Sequence, residues 1–546
     1  MIVIAVVGGA LVLIGVLIGV LVAAKVIKVG ANTGAAAELA TAPTSSPSSI
    51  SLRPSATRTS SASSSASATG CPTKKDIPKD AQGTWLDTTS WEDLTDFNCT
   101  FTDETVGGLP IIGLNSTWDD SKQANPNVPP LNQSWGSYSA RPIRGVNLGG
   151  WFSLEPFITP SIFDNAGTAQ DEYTICKNLG SKAAETLEKH YATFYTEDDF
   201  RQMAAAGLDH VRIPFSYWAI TTYDNDPYVK NISWRYLLRA IEWSRKYGLR
   251  VKLDPHGLPG SQNGWNHSGK LGKPDWIIGD NGALNAQRSL DLHNQLSKFF
   301  AQPRYKNVVA FYGLVNEPSK DIPMTDLNGW TVKAYDIIKS NGITQTQIFS
   351  ESMRGLGAWE GQLQGYGDSL AVDVHQYTLF DNALVGLKHV DRISFACKNY
   401  RDAMVSSMSG FGPTMAGEWS QADTDCTKYL NGVGMGARWE GRMNNGDGSQ
   451  PACPTLDQQC SCSVPNADPS TWTPEYKLFL KTFAEAQMSA FEKGWGWFYW
   501  TWKTESAPQW SYQAAVQGGF MPKVAYERAF SCDMAIPSFG SLPEFY

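Results

Sequence analysis

Charge is scarce in this sequence. Only 18% of its 546 residues are Asp, Glu, Lys or Arg, and 45 basic against 53 acidic side chains leave a net −8. No basic stripe interleaved with aromatics occurs, so no nucleic-acid partner is expected. No C-x-x-C repeats at zinc-site spacing, which argues against a structural metal. Gly145-Val146-Asn147-Leu148-Gly149-Gly150 lacks the G-x-G-x-x-G spacing of a dinucleotide loop. No G-x-S-x-G follows a strand-like run, which disfavours a Ser/His/Asp hydrolase. Aromatics, by contrast, are plentiful: 20 Trp, 21 Tyr and 23 Phe, in a chain that is 42% hydrophobic. That composition excludes a disordered or coiled-coil protein. The length suits one large barrel of roughly 250–400 residues with appendages.

The nine cysteines include Cys460-Ser461-Cys462, too tight for a zinc knuckle, and read as disulfides with at least one thiol left over. Five Asn-x-Ser/Thr sequons, at Asn98, Asn115, Asn132, Asn231 and Asn266, all lie after residue 90 and fit an oxidising secretory route with glycosylation at these sites.

Residues 1–24 carry no charge and are long enough to cross a hydrocarbon core of about 30 Å, so a transmembrane anchor is expected. A cleaved signal peptide is the rival, but its apolar region runs about 7–15 residues after a basic start, and no A-x-A site precedes Lys25. Lys25 and Lys28 follow the span and no basic residue precedes it. Taken alone, this places the C-terminal part in the cytosol, whereas the sequons and cysteines require it outside. A missing basic extension reconciles the two, and Met1 is therefore expected to be an internal or truncated start. Residues 25–70 form a Ser/Thr/Pro-rich linker. Its part 41–69 buries too little to offset its ordering entropy, so a disordered, O-glycosylated stalk is expected. Residues 71–140, with Trp85, Trp91 and Trp135, read as a strap or lid on the domain 141–535, and 536–546 as a C-terminal tail.

After residue 141 short apolar runs alternate with helical patterns, the mark of an α/β fold with a parallel sheet. Strands are expected at 143–151, 210–215, 250–253, 308–315, 347–350, 370–374, 414–416 and 496–500. Amphipathic helices are expected at 234–247, 290–300 and 476–493. Eight strands with intervening helices point to a closed (β/α)8 TIM barrel, with a doubly wound open sheet as the alternative. Polar residues gather where these strands end, the rim that carries barrel chemistry: Glu155, Arg212, His256, Asn316, Glu317, His375, Tyr377, Glu418 and Trp500.

Any one of these is more often structural, but two glutamates at one rim fit glycoside cleavage, which uses a paired acid and carboxylate and no metal or cofactor. Strands four and seven face each other across a barrel mouth, so Glu317 and Glu418 are expected to meet there. Arg212 and Tyr377 are expected to keep Glu418 ionised while an apolar wall raises the carboxyl of Glu317. Asn316 is placed to hold a sugar 2-hydroxyl. Trp151, Trp265, Phe380, Trp419, Trp500 and Trp502 are candidates for stacking on sugar faces.

The motifs RGVNLGGWFSLEPFI, HVRIPFSYW, KLDPHGLPGSQNG, LVNEP, DVHQY, GEWS and FYWTWKTE resemble glycoside hydrolase family 5, most of all its fungal exo-β-1,3-glucanase branch, over roughly residues 140–535. The resemblance implies a TIM barrel and a retaining mechanism, with Glu317 as proton donor and Glu418 as nucleophile. Arg212, His256, Asn316, His375, Tyr377 and Trp500 match its other active-site positions, Glu155 a subsite carboxylate, and Trp265 and Phe380 an aromatic pair flanking the entrance. The anchored start is similar to a membrane-bound, single-pass type II subgroup with the catalytic domain extracellular. Implied partners are a β-glucan and the membrane, with the protein a monomer. An insertion around 431–465 departs from secreted members. Endo-acting glucanases, cellulases, and mannan- or β-1,6-glucan-cleaving enzymes remain alternatives, as does a non-catalytic wall-binding protein.

Overall fold

The computed structural model describes residues 71–92, 99–113, 117–223, 225–443 and 450–545. Eight parallel strands close into a barrel: β1 Ile143–Asn147, β2 His210–Ser216, β3 Arg250–Gly257, β4 Val309–Gly313, β5 Thr346–Ser350, β6 Leu370–Gln376, β7 Thr414–Trp419 and β8 Gly496–Tyr499. Closure comes from β8 pairing with β1, Gly496 opposite Ile143 and Tyr499 opposite Val146. The open-sheet alternative is thereby excluded.

The three expected helices run over Ile232–Lys246, Gly282–Phe300 and Pro474–Phe491. The last starts where Thr473 caps it, its hydroxyl accepting from the Tyr476 amide, with Pro474 at a position whose amide has no helical partner. Burial of Ile232–Lys246 extends beyond one apolar stripe, because the preceding chain covers its outer side. Trp234 Nε1 donates to the Pro110 carbonyl at 3.0 Å, Arg235 to the Trp85 carbonyl at 3.1 Å, and Arg245 is ion-paired with Asp120.

Residues 129–142 run beneath the barrel. Arg250, at the start of β3, donates to the Pro129, Pro130 and Gln133 carbonyls. Tyr138 packs on His210, Phe311 and Trp495 at the strand N-termini. There Ile143, Phe311, Ile348, Ala371, Met415, Trp495 and Phe498 form a separate apolar plug. Of the strap and lid alternatives for 71–140, the contacts of the described part are those of a strap on the outer and lower faces, held by backbone carbonyls and aromatic packing at the end remote from the rim. The final residues are docked too, the His389 amide donating to Glu544 at 2.9 Å and Phe539 buried against Phe479.

Four disulfides lie among the described residues: Cys71–Cys99, Cys397–Cys532, Cys426–Cys462 and Cys453–Cys460. Cys176 is buried and free. Two of the four staple the insertion after β7. Among the described residues no helix is long and apolar enough to cross a membrane. The span expected at 1–24, the linker 25–70 and the sequons at Asn98 and Asn115 lie outside them. Of the other sequons, Asn132 is exposed and Asn231 and Asn266 are half-buried.

Candidate active site

Along a barrel strand alternate side chains point inward, so a polar residue every second position builds a polar column above the apolar plug. Strand β3 supplies Lys252, Asp254 and His256 in this way, β6 supplies Asp373 and His375, and β2 supplies Arg212. Pairing across β6 and β7 sets His375 opposite Glu418.

Arg212 is the hub. Its Nη1 donates to Glu418 Oε1 at 2.6 Å and to Asn147 Oδ1 at 2.8 Å, while Nη2 donates to Asn316 Oδ1 at 2.7 Å and lies 3.0 Å from Asp254 Oδ2. Tyr377 donates its hydroxyl to Glu418 Oε2 at 3.1 Å. His256 gives Nδ1–H to Asp254 at 2.8 Å and takes Asn316 Nδ2–H on Nε2 at 3.3 Å, which fixes it as a neutral imidazole. Burial lowers its basicity in the same sense. Trp500 lies parallel to the His256 ring, 5.6 Å between centroids.

Glu317 follows β4 with φ +43°, a left-handed conformation costly for a residue with a Cβ and typical of over-determined sites. The Asn263 side chain holds its carbonyl at 3.0 Å. His375 Nδ1 donates to Glu317 Oε1 at 2.6 Å and lies 3.5 Å from Glu418 Oε2. One carboxylate oxygen of each glutamate and a ring nitrogen of His375 all lie within 4.8 Å of one another. Among the described residues no other triplet has spacing that would suit a metal, and here the acceptors are already engaged by Arg212, His375 and Tyr377.

The electrostatics differ from the sequence expectation. Burial raises the Glu418 carboxyl above its ordinary value and the Glu317 charge adds to this, outweighing the pull of His375 and Arg212. Although burial alone would raise Glu317, the His375 imidazolium bonded to it holds it down to about 2. His375 itself, faced by carboxylates, is raised to about 10. The expected roles of apolar wall and cation are thus corrected, because Glu317 has an imidazole as partner where an apolar wall was foreseen. The proton therefore rests on His375 Nδ1, 2.6 Å from Glu317 Oε1, and the two groups titrate as a pair. Burial and the charges of Glu418 and Glu317 push Glu155 well above the carboxylate range.

Two large aromatics stand exposed on either side. Trp265 meets His267 edge-on at 5.4 Å, and His267 Nε2 lies 3.4 Å from Glu317 Oε2. Phe380 meets Tyr377 edge-on at 5.4 Å, on the Glu418 side. Both are 44% exposed. Trp151, Trp419 and Trp502 do not reach the mouth: all three are buried, with Trp151 Nε1 given to the Tyr191 carbonyl and Trp502 Nε1 to Asp199, so the stacking role is withdrawn from them.

The sequence reading did not assign Asn147, Lys252, Asp254, His267 or Asp373 to the site. The period of two within β3 and β6 carried a signal for the buried charges. His267 sits in a loop whose sequence gives no orientation.

A closed (β/α)8 barrel with two carboxylates paired at the C-terminal rim can supply both groups that glycosidic-bond cleavage needs. The chain matches the cellulase model of glycosyl hydrolase family 5 over residues 174–433. It is 58% identical over 479 residues to a probable glucan 1,3-beta-glucosidase D of Aspergillus flavus and 58% over 478 residues to that of Aspergillus clavatus. These matches cover 86% of this chain and 57% of each relative, so the chain spans little more than half the length of the curated relatives it matches. In fold it is similar to a rutinosidase from Aspergillus niger, at TM-score 0.54 and 19% identity, covering 71% of this chain and 99% of that one.

Proposed function

We propose that the protein is a retaining β-glucosidase that removes glucose units from the non-reducing ends of β-1,3-glucans. The observation that carries this reading is the approach of Glu317 and Glu418 within 4.8 Å. That is close to the separation of about 5–5.5 Å for double displacement and short of the roughly 6.5–9.5 Å of an inverting site. Glu418 attacks the anomeric carbon as its leaving oxygen takes the proton held by Glu317 and His375. Glu317 then accepts a proton from the water that releases the glycosyl group. Arg212 and Tyr377 orient Glu418, Asn316 retains an amide N–H for the sugar 2-hydroxyl, and Glu155 offers an O–H to the bound sugar. His256 and Trp500 wall the sugar site. The names of the Aspergillus relatives support the β-1,3 linkage. Laminarin digestion tests the reading: glucose as sole early product is expected, whereas a ladder of oligomers means endo action and no product means a glucan-binding protein.

Trp265 and Phe380 are assigned as stacking platforms for sugars beyond the first. Each Trp265→Ala or Phe380→Ala change is expected to cost about 1–3 kcal/mol in kcat/KM on laminari-oligosaccharides, mostly through KM, by analogy with stacking on bases. An aryl β-glucoside, too short to reach the rings, should be cleaved almost normally. Equal losses on both substrates would refute the assignment.

We also assign the 1–24 segment as a type II anchor with a monomeric barrel outside the cytosol. The disulfides and the exposed sequon Asn132 support this. In intact microsomes the barrel should resist added protease and lose mass with endoglycosidase. Digestion without detergent would reverse the topology.

A further inference from the structure

Below His375 lies a pair of buried charges that the reaction does not touch. Asp373, two residues earlier on β6, turns Oδ2 toward His375 Nε2 at 3.7 Å, and neither Nε2 nor Asp373 Oδ1 has a hydrogen-bond partner. Lys252 of β3 is ion-paired with that same Oδ2, and all three side chains are buried. Space for this carboxylate is built into the neighbouring strand. A Cβ on Gly417, the residue before Glu418, would stand 1.9 Å from Asp373 Oδ1, so only glycine fits there. The imidazole thus has carboxylates on both ring nitrogens: Glu317 and Glu418 face Nδ1 and Asp373 faces Nε2.

We propose that Asp373, clamped by Lys252 in the barrel interior, is a positioning residue whose charge, facing Nε2 at 3.7 Å, stabilises the His375 imidazolium and so keeps a proton on Nδ1 for Glu317. The proposal rests on Glu317 being the acid. In the free site the proton lies on Nδ1, within the 2.6 Å contact to Oε1. Departure of the leaving oxygen takes it through Glu317, leaving a carboxylate and a neutral imidazole, and the attacking water returns one. Asp373 neither gains nor loses a proton in this cycle; its charge makes the imidazolium the stable store. Other charged and titratable groups around His375 act on the same proton: Arg212 from β2, Asp254 and His256 from β3, His267 from the loop beyond β3, Tyr377 beyond β6 and Glu351 beyond β5. Glu351 is engaged with the Met353, Arg354 and Gly355 amides. The Lys252 cation opposes the imidazolium, and Asp373 stands between the two.

The test uses the full chain labelled with 15N-histidine, the His375 ring signal being assigned by its absence in His375→Gln. In Asp373→Asn the anion is gone and Lys252 faces the ring unscreened. The ring should then lose its charge about one pH unit or more lower than the wild type, and the basic limb of kcat/KM on an aryl β-glucoside should move down with it. The double variant Lys252→Met/Asp373→Asn removes the opposing cation as well and should recover part of that shift. A merely structural role predicts no recovery. The double variant also replaces a buried ion pair with neutral groups, which folds readily where a lone buried cation does not. An unmoved His375 titration in both variants overturns the clamp. A moved titration with an unmoved basic limb keeps the clamp and overturns Glu317 as the acid it feeds.

Discussion

Glu418→Gln is expected to lower kcat by roughly 10⁵-fold, the scale on which removal of a covalent nucleophile is felt in other enzymes. Glutamine keeps the volume, offers its amide oxygen to Arg212 Nη1 and donates its amide N–H to the Tyr377 oxygen, so the site geometry survives while the attacking charge is lost. Arg212 is not left as an isolated buried cation, because Asp254 remains 3.0 Å away. The loss is therefore expected in turnover and not in folding. An aryl glucoside with an activated leaving group should suffer as much as a laminari-oligosaccharide, since no leaving group compensates for a missing nucleophile. A 2-fluoro-glucosyl label should attach to Glu418 in the wild type and to nothing in the variant. Residual turnover above about one per cent would show that another group attacks, and the assignment would fail.

How much of this was legible in the sequence differs by layer. All eight strands were found near their true bounds, because an apolar run ending in a polar residue marks both the strand and its rim. Chain reach also brought Glu317 and Glu418 together, since strands four and seven face each other in any closed barrel. Lys252 and Asp373 were overlooked, because a charged residue inside an apolar run looks like a solvent-facing position until closure turns it inward. The pairing of nine cysteines was open for the same reason: Cys397 and Cys532 are 135 residues apart and meet only through the fold. Exposed aromatics separated from core ones by their polar flanks. Trp265 lies in a Gly-, Asn- and Ser-containing loop and Phe380 beside Asp381 and Asn382, whereas Trp419 ends β7 and Trp502 lies just beyond β8, and both were taken as stacking candidates. The protonation of the acid was misread because it depends on a 2.6 Å contact with His375, a distance that spacing along the chain does not encode.

Glu317→Ala should behave in the opposite manner, and the contrast separates the two roles. With the acid gone, expulsion of an unactivated sugar loses its proton, and hydrolysis of laminari-oligosaccharides is expected to fall by roughly 10²- to 10⁴-fold, the usual worth of general acid catalysis. A dinitrophenyl glucoside needs no such proton, so its first step should persist and release a burst of phenol, after which the glycosyl-enzyme waits for a water no longer activated. Azide, which needs no base, should restore turnover and give the β-glycosyl azide. A Glu418→Gly variant given azide should instead yield the α-azide, because attack then comes once and from the opposite face. Stability is expected to change little, since the His375 imidazolium that loses Glu317 is still faced by Glu418 and Asp373. Exchange of the two azide outcomes would swap the assignments of Glu317 and Glu418. Inversion from both would mean that the short distance between the carboxylates does not support double displacement at all.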